Sequence, residues 1–196
     1  MASITELLQT QGFGLPSGPL GRIGGALMAR GNAETERSLV RLAAITDTET
    51  VLVLGPGPGI GLAAAGERAA LAIGVEPSEL MRESCARRCA GLIGEGRVRV
   101  VAGDAEHTGQ ADGSVDVLFS VNNVMFWPDR EAGLAEASRV LRPGGRLLIS
   151  AHERWLPGGL ADAVRAAGFT DVQSWTWQSP SSRFPALAAQ LRAVRP

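Results

Sequence analysis

The segment Val51-Leu52-Val53-Leu54-Gly55-Pro56-Gly57-Pro58-Gly59-Ile60-Gly61 constrains this chain more than any other. Four consecutive apolar residues, two of them β-branched, have the pattern of a strand buried on both faces. The chain then passes directly into alternating glycines, and Leu62 to Ala72 has the Ala-rich composition of a helix. A strand, a glycine turn and a helix in immediate succession let backbone N–H groups and a helix N-terminus approach a ligand closely. The segment therefore implies a bound small cofactor.

The rest of the composition narrows the partners. A chain of 196 residues suits a single domain with a sizeable core. The formal net charge of −1 provides no basic field for nucleic acid. The apolar runs are strand-sized, too short for a membrane span. The first eleven residues are neither basic nor followed by an apolar core, so no signal peptide is expected and the expected location is the cytoplasm. All 19 basic residues are arginine and tyrosine is absent, which excludes Schiff-base and P-loop lysine chemistry. Cys85 and Cys89, four apart in an expected helix, lack nearby partners for a structural metal site, and no metal is expected.

Elements alternate along the chain. Residues 1 to 46 form an expected helical cap, with a helix over 33–45 and Asn32 as its N-cap, and residues 47–196 form the main unit. Strands are expected at Val51–Leu54, Ala70–Val75, Arg97–Val101, Val115–Val121, Arg146–Ser150 and Thr170–Trp177. Helices are expected at Ser78–Cys89, with Ser78 capping, at Asp129–Leu141 and at Pro157–Ala167. Phe184–Arg195 carries helical spacing at Leu187, Leu191 and Val194, yet a final antiparallel strand within Ala189–Arg195 suits a doubly wound sheet better. The expected fold is α/β: about seven strands, mostly parallel with the last antiparallel, and helices on both faces.

The glycine spacing discriminates between cofactors. A dinucleotide turn, G-x-G-x-x-G/A, needs a small residue where Ile60 stands. The spacing that fits is Gly55-x-Gly57-x-Gly59. Four further stretches fall in order behind it: Ala72 to Met81 with the acid Glu76, Gly103-Asp104-Ala105-Glu106, Asp112 to Ser120, and Leu141 to Ile149. Together these resemble the motifs of the class I S-adenosylmethionine-dependent methyltransferases, over about residues 26 to 178. The resemblance implies a Rossmann-like sheet, S-adenosylmethionine as cofactor and methyl transfer as the activity.

It also implies roles for residues. Gly55, Pro56, Gly57 and Gly59 would pass close to the cofactor's amino-acid portion. Glu76, followed by Pro77, would accept hydrogen bonds from the ribose diol. Asp104 would take the adenine amino group and the Ala105 N–H a ring nitrogen, although Asp104 also suits a turn cap. Asn122 would position the methionine portion and Arg30 could pair with its carboxylate. Phe126, Trp127 and Trp155 are candidates for walling the acceptor pocket, the first two equally suited to core packing. His152, after the fifth strand, is the candidate general base. The family usually carries an acid two positions before the first glycine, where it helps hold the cofactor's ammonium, and here Val53 stands in its place. The expected function is methyl transfer to a small-molecule acceptor. A non-catalytic cofactor binder, motivated by Val53, and a nicotinamide-dependent oxidoreductase are the alternatives.

Overall fold

A computed structural model describes residues 31–156, 158–178 and 187–196. The first helix among the described residues, α1, covers 31–42. Then come β1 (Thr50–Leu54), α2 (Ile60–Gly66), β2 (Leu71–Val75), α3 (Glu79–Arg88), α4 (Ala90–Gly94), β3 (Val98–Val101) and β4 (Val115–Val121). The second half holds α5 (Arg130–Val140), β5 (Leu141–His152), α6 (Leu160–Ala166), β6 (Thr170–Gln178) and β7 (Leu187–Val194), with short 3-10 turns at Val124–Phe126 and Glu153–Trp155.

The seven strands form one sheet in the order β3-β2-β1-β4-β5-β7-β6. Strands β1 to β5 are parallel, and β7 lies antiparallel between β5 and β6. The doubly wound architecture is as expected, and within the ambiguous C-terminal segment Leu187–Val194 is a strand. Its antiparallel direction agrees with its closeness in sequence to β6, which ends at Gln178, since a parallel partner would need a longer crossover.

Alternate side chains of the buried strands go to opposite faces, so the core has two halves. On one face, Leu52, Leu54, Leu118, Leu147 and Ile149 pack with Leu134 and Val140 of α5 and with α6. On the other, Val51, Val53, Val117, Phe119 and Leu148 pack with Leu39 and Val40 of α1, with α2, and with Cys85 and Cys89. Val53 is thus a core residue beneath α1.

Several boundaries differ from those expected. Helix α1 covers 31–42, and Ala44 turns the chain with a positive φ of 49°. Asn32 lies inside the helix, and its side chain bonds the sheet edge. Helix α2 begins at Ile60 and stops at Gly66, because Leu71 already pairs with Thr50. The Arg142–Gly145 stretch does not separate α5 from β5; it bulges within the strand, between the pairs Val115–Leu141 and Val117–Arg146.

Candidate cofactor and acceptor site

The strand ends converge at the carboxyl edge of the sheet, where open α/β sheets bind ligands. The turn after β1 is tied to β2 by the Gly55 N–H, which donates to the Val75 carbonyl at 2.9 Å. Its three glycines have positive φ, at 63°, 51° and 88° for Gly55, Gly57 and Gly59, yet they do different work. A side chain at Gly55 would collide with Asn123, and one at Gly59 would come within 2.7 Å of Cys85 Sγ. At Gly57 a Cβ would meet nothing within 4 Å. Two glycines therefore seat the turn against the protein, and the middle one faces open space.

Helix α3 backs this turn. Ser78 caps the helix, accepting from the Met81 N–H at 3.3 Å, and Arg88 Nε donates to the Pro58 carbonyl at 2.7 Å. Cys85 and Cys89 lie beneath the turn as buried free thiols. The hydrogen bond with Cys89, and then burial, push the Cys85 thiol up, so it is protonated packing material.

Glu76 sits where β2 ends, only 5% exposed. Its Oε2 accepts from the Gly57 N–H at 3.0 Å and its Oε1 from the Ser78 N–H at 2.9 Å. Burial raises its pKa above the ordinary carboxylate value, opposed by these two N–H bonds. Each oxygen keeps a further lone pair for a hydroxyl donor. Pro77 extends from it, and its carbonyl accepts from Arg82 at 2.7 Å. Asp104, after β3, caps its own loop: Oδ1 accepts from the Glu106 and His107 N–H groups at 2.9 and 2.8 Å. The turn-capping geometry is therefore present, with the carboxylate half-exposed, while Ala105 is buried beside α5.

Asn122 follows β4 with a φ of 50°, a left-handed conformation asparagine tolerates. Its Nδ2 donates to Asn32 of α1 at 2.9 Å, and its Oδ1 accepts from the His152 N–H at 2.8 Å. It thus fastens α1 and β5 to the crevice edge. His152 stacks edge-on with Trp155, ring centres 5.1 Å apart. Trp155 and Phe126 are 48% and 40% exposed. Trp127 instead belongs to the core: its ring covers Gly133, and its Nε1 donates to Asn123 Oδ1 at 2.7 Å. Arg30 lies outside the described residues.

Glu36, Asn123 and Arg88 contribute to this region without any motif to mark them. Glu36 Oε2 accepts from the Gly61 N–H at the start of α2. Only the pairing of α1 with the glycine turn reveals it. For Asn123 and Arg88 the one signal in the sequence is adjacency to Asn122 and to the cysteine pair.

The site suits S-adenosylmethionine on its own geometry: an open approach at Gly57 and a carboxylate at the second strand's end. The methyltransferase domain family matches residues 52–149 of this chain, and the chain belongs to that family, whose cofactor is S-adenosylmethionine. Among curated relatives, methyltransferase GfsG of Streptomyces halstedii is 35% identical over 95 residues, covering 47% of this chain and 34% of that protein. A malonyl-[acyl-carrier protein] O-methyltransferase of Methylococcus capsulatus is 42% identical over 78 residues, covering 39% and 28%. The chain therefore spans about a third of the length of these relatives. A solved complex between the Haloferax volcanii Trm112 methyltransferase activator and a methyltransferase superposes with a TM-score of 0.79 at 18% identity, covering 90% of this chain and 94% of that one. That likeness shows the fold.

Proposed function

We propose that this chain transfers the methyl group of S-adenosylmethionine, by in-line displacement, to a small-molecule acceptor with an oxygen, nitrogen or carbon nucleophile. The observation that carries the reading is the turn at Gly57, open to a ligand and bonded to the buried Glu76 carboxylate. In this reading Glu76 takes the ribose hydroxyls, the loop at Asp104 and Ala105 receives the adenine, and Gly55, Pro56, Gly57, Gly59 and Asn122 line the methionine portion. The cofactor supplies an activated methyl, so the protein's share is binding and orientation. The methyl–sulfur bond breaks as the bond to the acceptor forms.

Phe126 and Trp155, exposed on loops that follow adjacent strands, give apolar faces for the acceptor. His152 lies in the same edge, ring against Trp155, where it can take the proton an oxygen or nitrogen acceptor gives up. A small acceptor agrees with these two short loops, and no nucleic-acid partner is proposed. No helix among the described residues is long and apolar enough to cross a membrane, and we place the activity in the cytoplasm.

Calorimetry with S-adenosylmethionine and S-adenosylhomocysteine tests the first half, and release of S-adenosylhomocysteine across a panel of small nucleophiles tests the second. Binding of both compounds with turnover of at least one acceptor class is expected. Tight binding with no turnover on any acceptor would favour a non-catalytic cofactor binder. Absence of binding to either compound would sink the methyltransferase reading.

A further inference from the structure

Four glutamates are buried among the described residues: Glu36, Glu49, Glu76 and Glu136. Three have at least two partners each. Glu49 pairs with Arg146 at 2.9 Å and accepts from the Thr46 N–H, Glu76 accepts from two backbone N–H groups, and Glu136 pairs with Arg139 and accepts twice from Thr108. Glu36 has one bond, from the Gly61 N–H, and no cation of the described residues lies within ion-pair distance. An 8% exposed carboxylate with a single neutral donor is costly to keep, since removing a charge from water is repaid only by pairing. Its place makes the cost intelligible. A side chain at Gly61 would lie 2.9 Å from Glu36 Oε2 and 3.3 Å from the Phe119 ring. Phe119 is the register partner of Val53 on the same face of the sheet. Helix α1 thus carries a carboxylate to the face of β1 from which position 53 projects, at the head of the helix that follows the glycine turn.

We propose that the Glu36 carboxylate holds the ammonium group of S-adenosylmethionine, standing in for the acid that β1 lacks at Val53. The inference rests on the cofactor reading above. The ligand brings the cation that the described residues do not supply, and a charge-assisted hydrogen bond is about twice as strong as a neutral one. The crossing of α1 over the turn would then be part of the cofactor site, fastened one helical turn earlier by the Asn32–Asn122 bond.

The experiment compares two ligands on the full chain by calorimetry. S-adenosylhomocysteine carries the ammonium; 5′-methylthioadenosine keeps the adenosine and sulfur without it. Glu36→Gln, which retains an acceptor for the Gly61 N–H, is expected to weaken S-adenosylhomocysteine roughly ten- to a hundred-fold and to leave 5′-methylthioadenosine within about two-fold. Val53→Asp in the otherwise unaltered chain is expected not to tighten binding, because the position it would serve is already filled. Equal losses for the two ligands in Glu36→Gln would reduce Glu36 to a packing role and overturn the inference. So would an unchanged affinity for S-adenosylhomocysteine, or a ten-fold gain with Val53→Asp. A wild-type chain that binds neither ligand fails earlier and differently, by removing the cofactor reading itself.

Discussion

Glu36 on α1 and Glu136 on α5 are helical glutamates of nearly equal burial, set on opposite faces of one sheet. Their surroundings have opposite effects. Arg139, helped by the Thr108 hydroxyl and N–H, holds Glu136 down at about 2. Burial pushes Glu36 up to about 7, against the Gly61 N–H and the more distant Arg88 and Arg37. Where the fold needs a buried acid for its own stability, it surrounds it with donors. Where it leaves one short of donors beside the glycine turn, stability is sacrificed at a place where a cationic ligand can restore it. The contrast separates a structural carboxylate from a ligand-binding one without reference to any motif.

The contrast breaks most readily at Glu136. Its folded pKa lies below the ordinary carboxylate value, so its contribution is present above about pH 4.5 and is lost as the pH falls toward 2. Glu136→Ala should therefore cost about 3 kcal/mol at pH 7, with the deficit shrinking as acid protonates the wild-type group. Urea unfolding at pH 7 and pH 3 measures both. A loss that is equal at the two pH values would mean that packing, not charge, sets the value of this residue.

Glu36 should behave with the opposite sign. Its folded pKa lies above the unfolded one, so the ligand-free protein is least burdened below about pH 4.5 and loses stability as the pH rises toward 7. Glu36→Gln removes that burden. We expect the variant to be more stable than wild type by about 3 kcal/mol at pH 8, and nearly level with it near pH 4.5, because each tenfold change in proton affinity between the folded and unfolded chain is worth about 1.4 kcal/mol. Thermal melts across that range give the answer, and a variant less stable at pH 8 would show that Glu36 is already neutralised in the ligand-free fold. The same substitution that strengthens the empty protein is the one expected to weaken cofactor binding.

Glu76 sharpens the comparison from the other side of the turn. It is as buried as Glu36 but receives two backbone donors, so the part proposed for it in ligand binding is a hydrogen-bond acceptor's, not a counter-ion's. Glu76→Ala is expected to weaken both S-adenosylhomocysteine and 5′-methylthioadenosine by about 1–3 kcal/mol, since both carry the ribose. Selective loss of one ligand would misplace the diol.

What could be read in the sequence follows from how local each feature is. The order of strands and helices, the glycine turn and Glu76 are encoded in short contiguous patterns, and those patterns appear in the fold. The direction of the last strand was readable only by appeal to the sheet's architecture, because Leu187, Leu191 and Val194 fit a helix equally well by spacing. Trp127 was undecidable, since an aromatic in a loop after β4 can face a ligand or the core, and Gly133 on α5, six residues later, makes room for the ring. Glu36 was invisible for a stronger reason: its partner Gly61 is 25 residues away, and nothing in the Glu34-Thr35-Glu36 stretch distinguishes the buried acid from the exposed side of a helix. The substitution at Val53 left a gap in the motif, and its filling by a residue from another element is a matter of packing.

The three glycines of the turn yield the smallest effect on stability and the most specific one. All three have φ values unfavourable to a side chain, so alanine at any of them carries the left-handed penalty of about 1–2 kcal/mol. At Gly55 the new methyl would also collide with Asn123, and at Gly59 with Cys85, so those substitutions should disturb the fold further. At Gly57 the penalty stands alone, because the Cβ enters open space. Gly57→Ala should then lose about 1 kcal/mol in unfolding experiments while losing most of its affinity for S-adenosylhomocysteine, the methyl occupying room that the ligand needs. If Gly57→Ala binds as wild type does, the open side of the turn faces solvent, and the cofactor must approach Gly55 and Gly59 from another direction.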